Sequence, residues 1–299
     1  MTKLNVAVIG LGSMGLGMAC SALRGLHRVW GSDPNDIQLA KFKNDGGERD
    51  EPIRVADILD VVVVVVLNAA QTENVLFGAD GIVAKMQSGA VVVSCATVPP
   101  DFARDMEARC AEHGVLYLDA PISGGAKKSM NGQLSIMASG SPEAFAKARP
   151  LLKSVSETVF ELGDAAGAGS AMKSVNQLLA GVHIATMAEA MTFGMTQGVD
   201  PNTFIDVISK CAGTSWMLEN RAPHIAKGDY SPLSSVNIWL KDLGIVLDIA
   251  GSAEFDAPLT KAALSRFKDA ADMGLGDEDD AAVAKVYAAK SGLTLPGCE

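Results

Sequence analysis

Three groups of residues in this chain combine reactive or ligand-binding types with spacings that could put them to work. The first is Gly10-Leu11-Gly12-Ser13-Met14-Gly15, set between an apolar run at 4–9 and a helix-compatible stretch at 13–23. In a strand–turn–helix the first glycine permits a tight turn and the second lets a pyrophosphate approach the backbone. The third lets helix pack on strand. The helix start adds unpaired N–H groups and a partial positive charge for phosphate. A second apolar run, 28–32, leads into Asp33, eighteen residues past Gly15, where a carboxylate would take the ribose hydroxyls. Asp33 would repel a 2′-phosphate, so NAD is expected rather than NADP. The competing reading is a glycine turn that binds nothing, or a fold for another adenosine ligand. Gly17 reads as a packing glycine, and Asn35 as either a turn residue or a ribose contact.

The second group lies just past later strand-like runs, where ligands of this fold lie. It contains Leu67, Asn68 and Thr97 as cofactor contacts, together with Cys95, which reads as a buried thiol rather than a nucleophile. The third group carries the chemistry. Ser123-Gly124-Gly125 offers a hydroxyl and backbone N–H groups suited to a carboxylate, although a plain glycine turn fits as well. Lys173, Asn176 and Gln177 stand at i, i+3 and i+4, on one helical face, with Asn176 and Gln177 expected to contact the substrate. Ala180 and Gly181 continue that face with small side chains, which leaves room for it. A lysine near a helix start faces the unfavourable end of the dipole, which with partial burial would lower its pKa towards acid/base use. The bland reading is a solvated surface lysine. Lys241, in Trp239-Leu-Lys-Asp-Leu-Gly244, either enters a cleft or snorkels to solvent. His183 reads as a packed helical residue.

These groups need a scaffold, and the pattern supplies one. Apolar strand-length runs at 4–9, 28–32, 61–67, 91–94 and 115–118 alternate with helix-compatible stretches at 13–23, 36–43, 71–76 and 100–112. That alternation predicts an α/β fold, a Rossmann-type doubly wound parallel sheet. Runs at 134–138 and 158–162, flanking a helix at 142–152, are expected to extend the sheet. Beyond Gly169 helical patterns dominate, at 170–197, 201–211, 234–250, 258–271 and 279–289. The glycine-rich break near 165 predicts an NAD-binding domain over 1–165 and an all-α substrate and oligomerisation domain over 166–299.

The bulk numbers agree with a two-domain enzyme. The chain has 299 residues, 48% hydrophobic and 20% charged, with a net charge of -10, which argues against a nucleic-acid partner. Five scattered cysteines form no CxxC pair and support neither zinc nor a disulfide framework. Nothing predicts a bound metal. The apolar run 61–67 is seven residues, against roughly 20 for a membrane span, so no membrane partner and a cytoplasmic location are expected. The acidic run 277–280 reads as a solvated cap of the last helix.

In order and spacing these motifs resemble the β-hydroxyacid dehydrogenases, the family that contains 3-hydroxyisobutyrate dehydrogenase, tartronate semialdehyde reductase and 6-phosphogluconate dehydrogenase. The resemblance rests on the glycine loop with Met14 and Met18, on 119–125, on 167–176 and on Lys241-Asp242-Leu243. It spans essentially the whole chain. It implies an oxidoreductase that moves a hydride between NAD and a small hydroxy acid, with Lys173 as general acid/base and Asn176 holding the substrate hydroxyl. Ser123 and Gly124, with Gly125 beside them, would bind the substrate carboxylate. Thr97 and Lys241 would lie near the nicotinamide, with Lys241 also contacting the substrate, although Cys95 and Ala96 stand where serines are commoner. Within the family, the stretches 68–71, 176–184, 215–224, 228–232 and 241–248 resemble members that oxidise a four-carbon aldonate, L-threonate. The alternatives are 3-hydroxyisobutyrate and 2-hydroxy-3-oxopropionate (tartronate semialdehyde). Thr214 departs from the asparagine expected before Ser-Trp. Similar enzymes imply a homodimer or homotetramer.

Overall fold

The computed structural model describes residues 2–298, which form two compact units, one up to Lys173 and one from Ser174. The first unit is built on a five-stranded parallel sheet. Its strands are β1 (Asn5–Ile9), β2 (Arg28–Ser32), β3 (Val61–Val64), β4 (Val91–Ser94) and β5 (Leu116–Asp119), in the order β2-β1-β3-β4-β5. The crossovers carry α1 (Gly15–Arg24), α2 (Asp36–Asn44), α3 (Ala69–Phe77) and α4 (Pro100–Glu112). The Val-rich runs of β3 and β4 are buried throughout because parallel strands covered on both faces have no wet side. Alternate residues supply two different cores. Val61, Val63, Val91 and Val93 join α1 on one face, while Val62, Val64 and Val92 join Trp30 and Met106 on the other. Strand order reverses between β1 and β3, so the glycine loop opens at the topological switch point, where such sheets bind ligands.

One expectation is overturned. The runs at 134–138 and 158–162 do not extend this sheet. They form β7 (Leu134–Ala138) and β8 (Ser156–Glu161), which join β6 (Ile122–Ser123) in a separate sheet ordered β6-β7-β8. Two helices, α5 (Gly125–Met130) and α6 (Pro142–Val155), connect them. After β5 the chain turns through Ala120 and Pro121, and β6 pairs antiparallel with β7. Among the described residues a single isolated bridge, Asp119 to Ser139, links this sheet to β5. Proline lacks the N–H that a continuing ladder needs.

The long helix α7 (Ala168–Thr196) crosses from the first unit into the second. The second unit adds α8 (Pro201–Ile208), α9 (Trp216–Lys227), α10 (Val236–Ser252), α11 (Pro258–Ala270) and α12 (Ala284–Ser291). Its core gathers Ile184, Met187 and Met191 of α7 with Leu218, Trp239, Leu243 and Phe267. By length and composition α7 could cross a membrane, a feature the sequence reading missed when it singled out 61–67. Its buried apolar residues belong to the helical core.

The acidic run is only in part the solvated cap expected, with Asp277 exposed and the rest drawn inward. Asp279 and Asp280 are both fully buried. Asp279 caps the short turn of helix at Asp280–Val283 through its bond from Ala281 N. Asp280 accepts from Arg221 Nε at 2.6 Å and from Trp239 Nε1 at 2.8 Å. Burial pushes Asp280 up to about 6, with Arg221 opposing the rise and the neighbouring Asp279 adding to it.

Candidate active site

The glycine loop has the shape a dinucleotide requires. Gly10 has φ +93°, and a Cβ there would lie 2.2 Å from Val65 O at the end of β3. A Cβ on Gly15 would strike Gly10 O, which fixes the close helix–strand contact. At Gly12 a Cβ would meet nothing within 4 Å, so the turn keeps open space where a pyrophosphate would lie. The start of α1 has no side-chain cap and no acidic residue in its first turn. Among the described residues no side chain caps this terminus, so its dipole remains available to an anionic ligand. These features fit a bound dinucleotide.

Asp33 does more than wait for a ribose. Its Oδ2 accepts from Leu11 N at 2.6 Å and its Oδ1 from Asn35 N at 2.7 Å, tying the end of β2 to the glycine loop. Asn35 resolves as a turn residue, since its side chain caps α2 by accepting from Ile37 N. Gly17 is a packing residue: a Cβ there would strike Met130 N, 2.6 Å away on α5. Leu67 is exposed beyond β3, and Asn68 caps α3 by accepting from Gln71 N at 2.9 Å. Thr97 is half-buried past β4. Cys95 beside it is buried, and desolvation pushes its thiol up to about 12, so it does not ionise as a nucleophile.

Lys173 and the Ser123 loop come together within the first unit. The Lys173 ammonium is buried and donates to Ile122 O at 2.9 Å, one residue before Ser123. Gly124 and Gly125 both have positive φ, +137° and +75°, a backbone that glycine adopts without strain. The residue that sets this arrangement was missed in the sequence. Asp119, at the end of β5, is buried. It accepts from Gly167 N (3.0 Å), Ser170 N (2.8 Å), Ser170 Oγ (2.6 Å) and Ser139 Oγ (3.4 Å). Ser139 Oγ in turn accepts from Gly169 N at 2.9 Å. Asp119 thus caps the helix that carries Lys173 from a strand 51 residues earlier in sequence. It also places a negative charge at the terminus whose bare dipole was expected to act on Lys173, so that part of the argument is offset. The acidic residue opening 119–125 was the available signal.

In the second unit, Asn176, Gln177 and Lys241 are linked through Asp242, another residue not anticipated as part of the site. Gln177 is buried and uses both ends of its amide. Its Oε1 accepts from Asn176 Nδ2 at 2.9 Å and its Nε2 donates to Asp242 Oδ2 at 2.5 Å. Both ends of its amide are thus engaged by neighbouring side chains. Lys241 Nζ lies 2.5 Å from Asp242 Oδ1; this contact is an ion pair without a well-directed hydrogen bond. The room expected beside Ala180 and Gly181 is filled, because a Cβ on Gly181 would lie 2.8 Å from Leu243 and 2.9 Å from Trp239. A groove of about 760 Å³ between α7, α11 and α12 contains none of the expected site residues.

Comparison with known proteins decides the family. Residues 5–163 match the NAD binding domain of 6-phosphogluconate dehydrogenase, and residues 167–287 match the NAD-binding of NADP-dependent 3-hydroxyisobutyrate dehydrogenase. The chain belongs to the 3-hydroxyisobutyrate dehydrogenase-like family of β-hydroxyacid dehydrogenases. It is an NAD-dependent hydroxyacid dehydrogenase with a Rossmann-type sheet and a helical C-terminal region. It is 50% identical to an L-threonate dehydrogenase of Cupriavidus necator, over 98% of this chain and 98% of that protein. It is 42% identical to an L-threonate dehydrogenase of Escherichia coli, over 100% of this chain and 98% of the relative. The crystal structure of 3-hydroxyisobutyrate dehydrogenase from Salmonella typhimurium superimposes with a TM-score of 0.91 at 41% identity, covering 95% of this chain and 100% of that one.

Proposed function

We propose that the protein oxidises L-threonate with NAD. The observation that carries the substrate is the full-length identity, 50%, to an L-threonate dehydrogenase. The stretches around Asn68, 176–184 and 241–248 support it. NAD, when bound, accepts the hydride released from the substrate carbon. In this reading Gly10 to Gly15 and Asp33 hold the dinucleotide, with Leu67, Asn68, Thr97 and Lys241 beside it. Ser123, Gly124 and Gly125 receive the substrate carboxylate. Lys173 takes the hydroxyl proton, and Asn176, one turn further along α7, holds the substrate hydroxyl. Fixing both ends of a short acid aims one carbon–hydrogen bond and removes most of its orientational freedom. Gln177 acts behind Asn176 rather than on the substrate.

The division of labour follows the sequence: cofactor binding in 1–165, substrate and oligomer contacts in 166–299. A cytoplasmic homodimer or homotetramer is the proposed state. Exposed Phe193 and Leu259, both lining the groove of the helical unit, support association through that unit. The second reading is 3-hydroxyisobutyrate, which the name of the Salmonella structure favours and which Thr214 keeps in play. NADH formation measured against L-threonate, D-threonate, D-erythronate, D-glycerate and 3-hydroxyisobutyrate separates the two. Preference for 3-hydroxyisobutyrate, or no turnover of L-threonate, would sink the first reading.

A further inference from the structure

The amides of Asn176 and Gln177 form a hydrogen-bonded chain whose direction one carboxylate sets. A side-chain amide can be turned end for end with little change in shape, so its surroundings decide which end points where. An ionised carboxylate only accepts. Asp242 is buried and ion-paired with Lys241, so its carboxylate accepts and the end of Gln177 that faces it must be the NH2 group, as found. Gln177 Oε1 must then face Asn176, and Asn176 must answer with Nδ2. That fixes the sense of the Asn176 amide, with Nδ2 held on the Gln177 side and Oδ1 on the other. The reach is possible because Gly181, one turn beyond Gln177, lets α7 and α10 approach until Leu243 and Trp239 fill the space of a side chain.

We propose that Asp242 is a positioning residue for the dehydrogenase reaction, acting through Gln177 to fix which end of the Asn176 amide is offered to the substrate. This rests on the reading that Asn176 holds the substrate hydroxyl. Replacing Asp242 by Asn provides both a donor and an acceptor, so the chain can run in either sense and Asn176 can turn Oδ1 inward. Losing the charge that pairs with Lys241 also costs stability, and stability alone would not change the rate of the folded enzyme.

The test compares Asp242→Asn, Asn176→Ala and the double variant on the NAD-loaded enzyme, reading kcat, KM for the acid and NADH binding by fluorescence. The expected result is a fall in kcat of about 10- to 100-fold for Asp242→Asn, the scale of a misplaced group, with NADH binding unchanged. Because the effect passes through Asn176, the double variant should be little slower than Asn176→Ala alone. Gln177→Leu cuts the same link without touching the buried carboxylate. It should show the same loss and serves if Asp242→Asn does not fold. Normal kcat in Asp242→Asn and Gln177→Leu beside an impaired Asn176→Ala overturns the proposal alone, as do fully additive losses. Normal kcat in Asn176→Ala overturns the role of Asn176 and this proposal with it.

Discussion

Asp119 in the sheet unit and Asp280 in the helical unit are both buried carboxylates, and they are satisfied in opposite ways. Asp119 takes four hydrogen bonds from neutral donors, three of them from the start of α7. Asp280 is met by the Arg221 guanidinium and the Trp239 indole, with a second acid, Asp279, beside it. Burial is the leading influence on each and raises both above the ordinary carboxylate range. In Asp280 even an adjacent arginine does not cancel it, as expected when two charges leave water together. The arrangements do different work. Backbone donors at a helix terminus fix where α7 begins and hence where Lys173 sits. The ion pair ties α9 to the turn at Asp280, the Trp239 bond adds α10, and together they stabilise packing in the helical unit.

That contrast can be broken at either end. The largest effect belongs to the group the sheet unit positions: Lys173→Met should lower turnover ~10²–10⁴-fold, the share general acid–base catalysis usually supplies. NADH titration should show binding retained. Next comes Arg221→Leu, which leaves two buried acids without their cation and should cost ~3–5 kcal/mol at neutral pH. Its pH dependence follows from Asp280, whose folded value of about 6 lies above the roughly 4 of an unfolded aspartate. The stability it contributes is complete below about pH 4 and is lost as the pH rises through about 6. Without Arg221 that loss should deepen and move to higher pH. Thermal melts should therefore show the variant recovering towards wild type on acidification. A pH-independent deficit would mean that Arg221 acts through packing.

Asp119→Asn should cost less, ~1–3 kcal/mol for a stranded buried donor, yet it should affect activity where Arg221→Leu does not. Equal kcat losses in the two variants would erase the distinction between a positioning acid and a packing acid. The smallest effect is expected at the edge of the sheet unit. Asp33→Asn removes the charge that opposes a 2′-phosphate, and should shift the NAD-to-NADP preference by about tenfold, or ~1.4 kcal/mol. Initial rates with each cofactor read this directly.

The parts legible in the sequence were those set by local rules. Strand and helix periods, the glycine loop and the acid past β2 depend on residues close together in the chain, and the i, i+3, i+4 spacing on α7 needs only helical geometry. The failures have a common cause. Whether β7 and β8 extend one sheet or found another depends on how β6 folds back after Pro121, which no local pattern encodes. The acidic run looked solvated because its partner, Arg221, lies 59 residues away.

By itself the sequence determined an NAD-binding fold, the family, and the reactive residue types along α7, because each of these is carried by short-range spacing. Only the tertiary structure decided that Asp119 caps the helix of Lys173, that Gln177 bonds Asn176, and that Asp242 joins Gln177 and Lys241. Those roles are fixed by burial and by the accept-only nature of a carboxylate, and burial exists only once distant segments have packed.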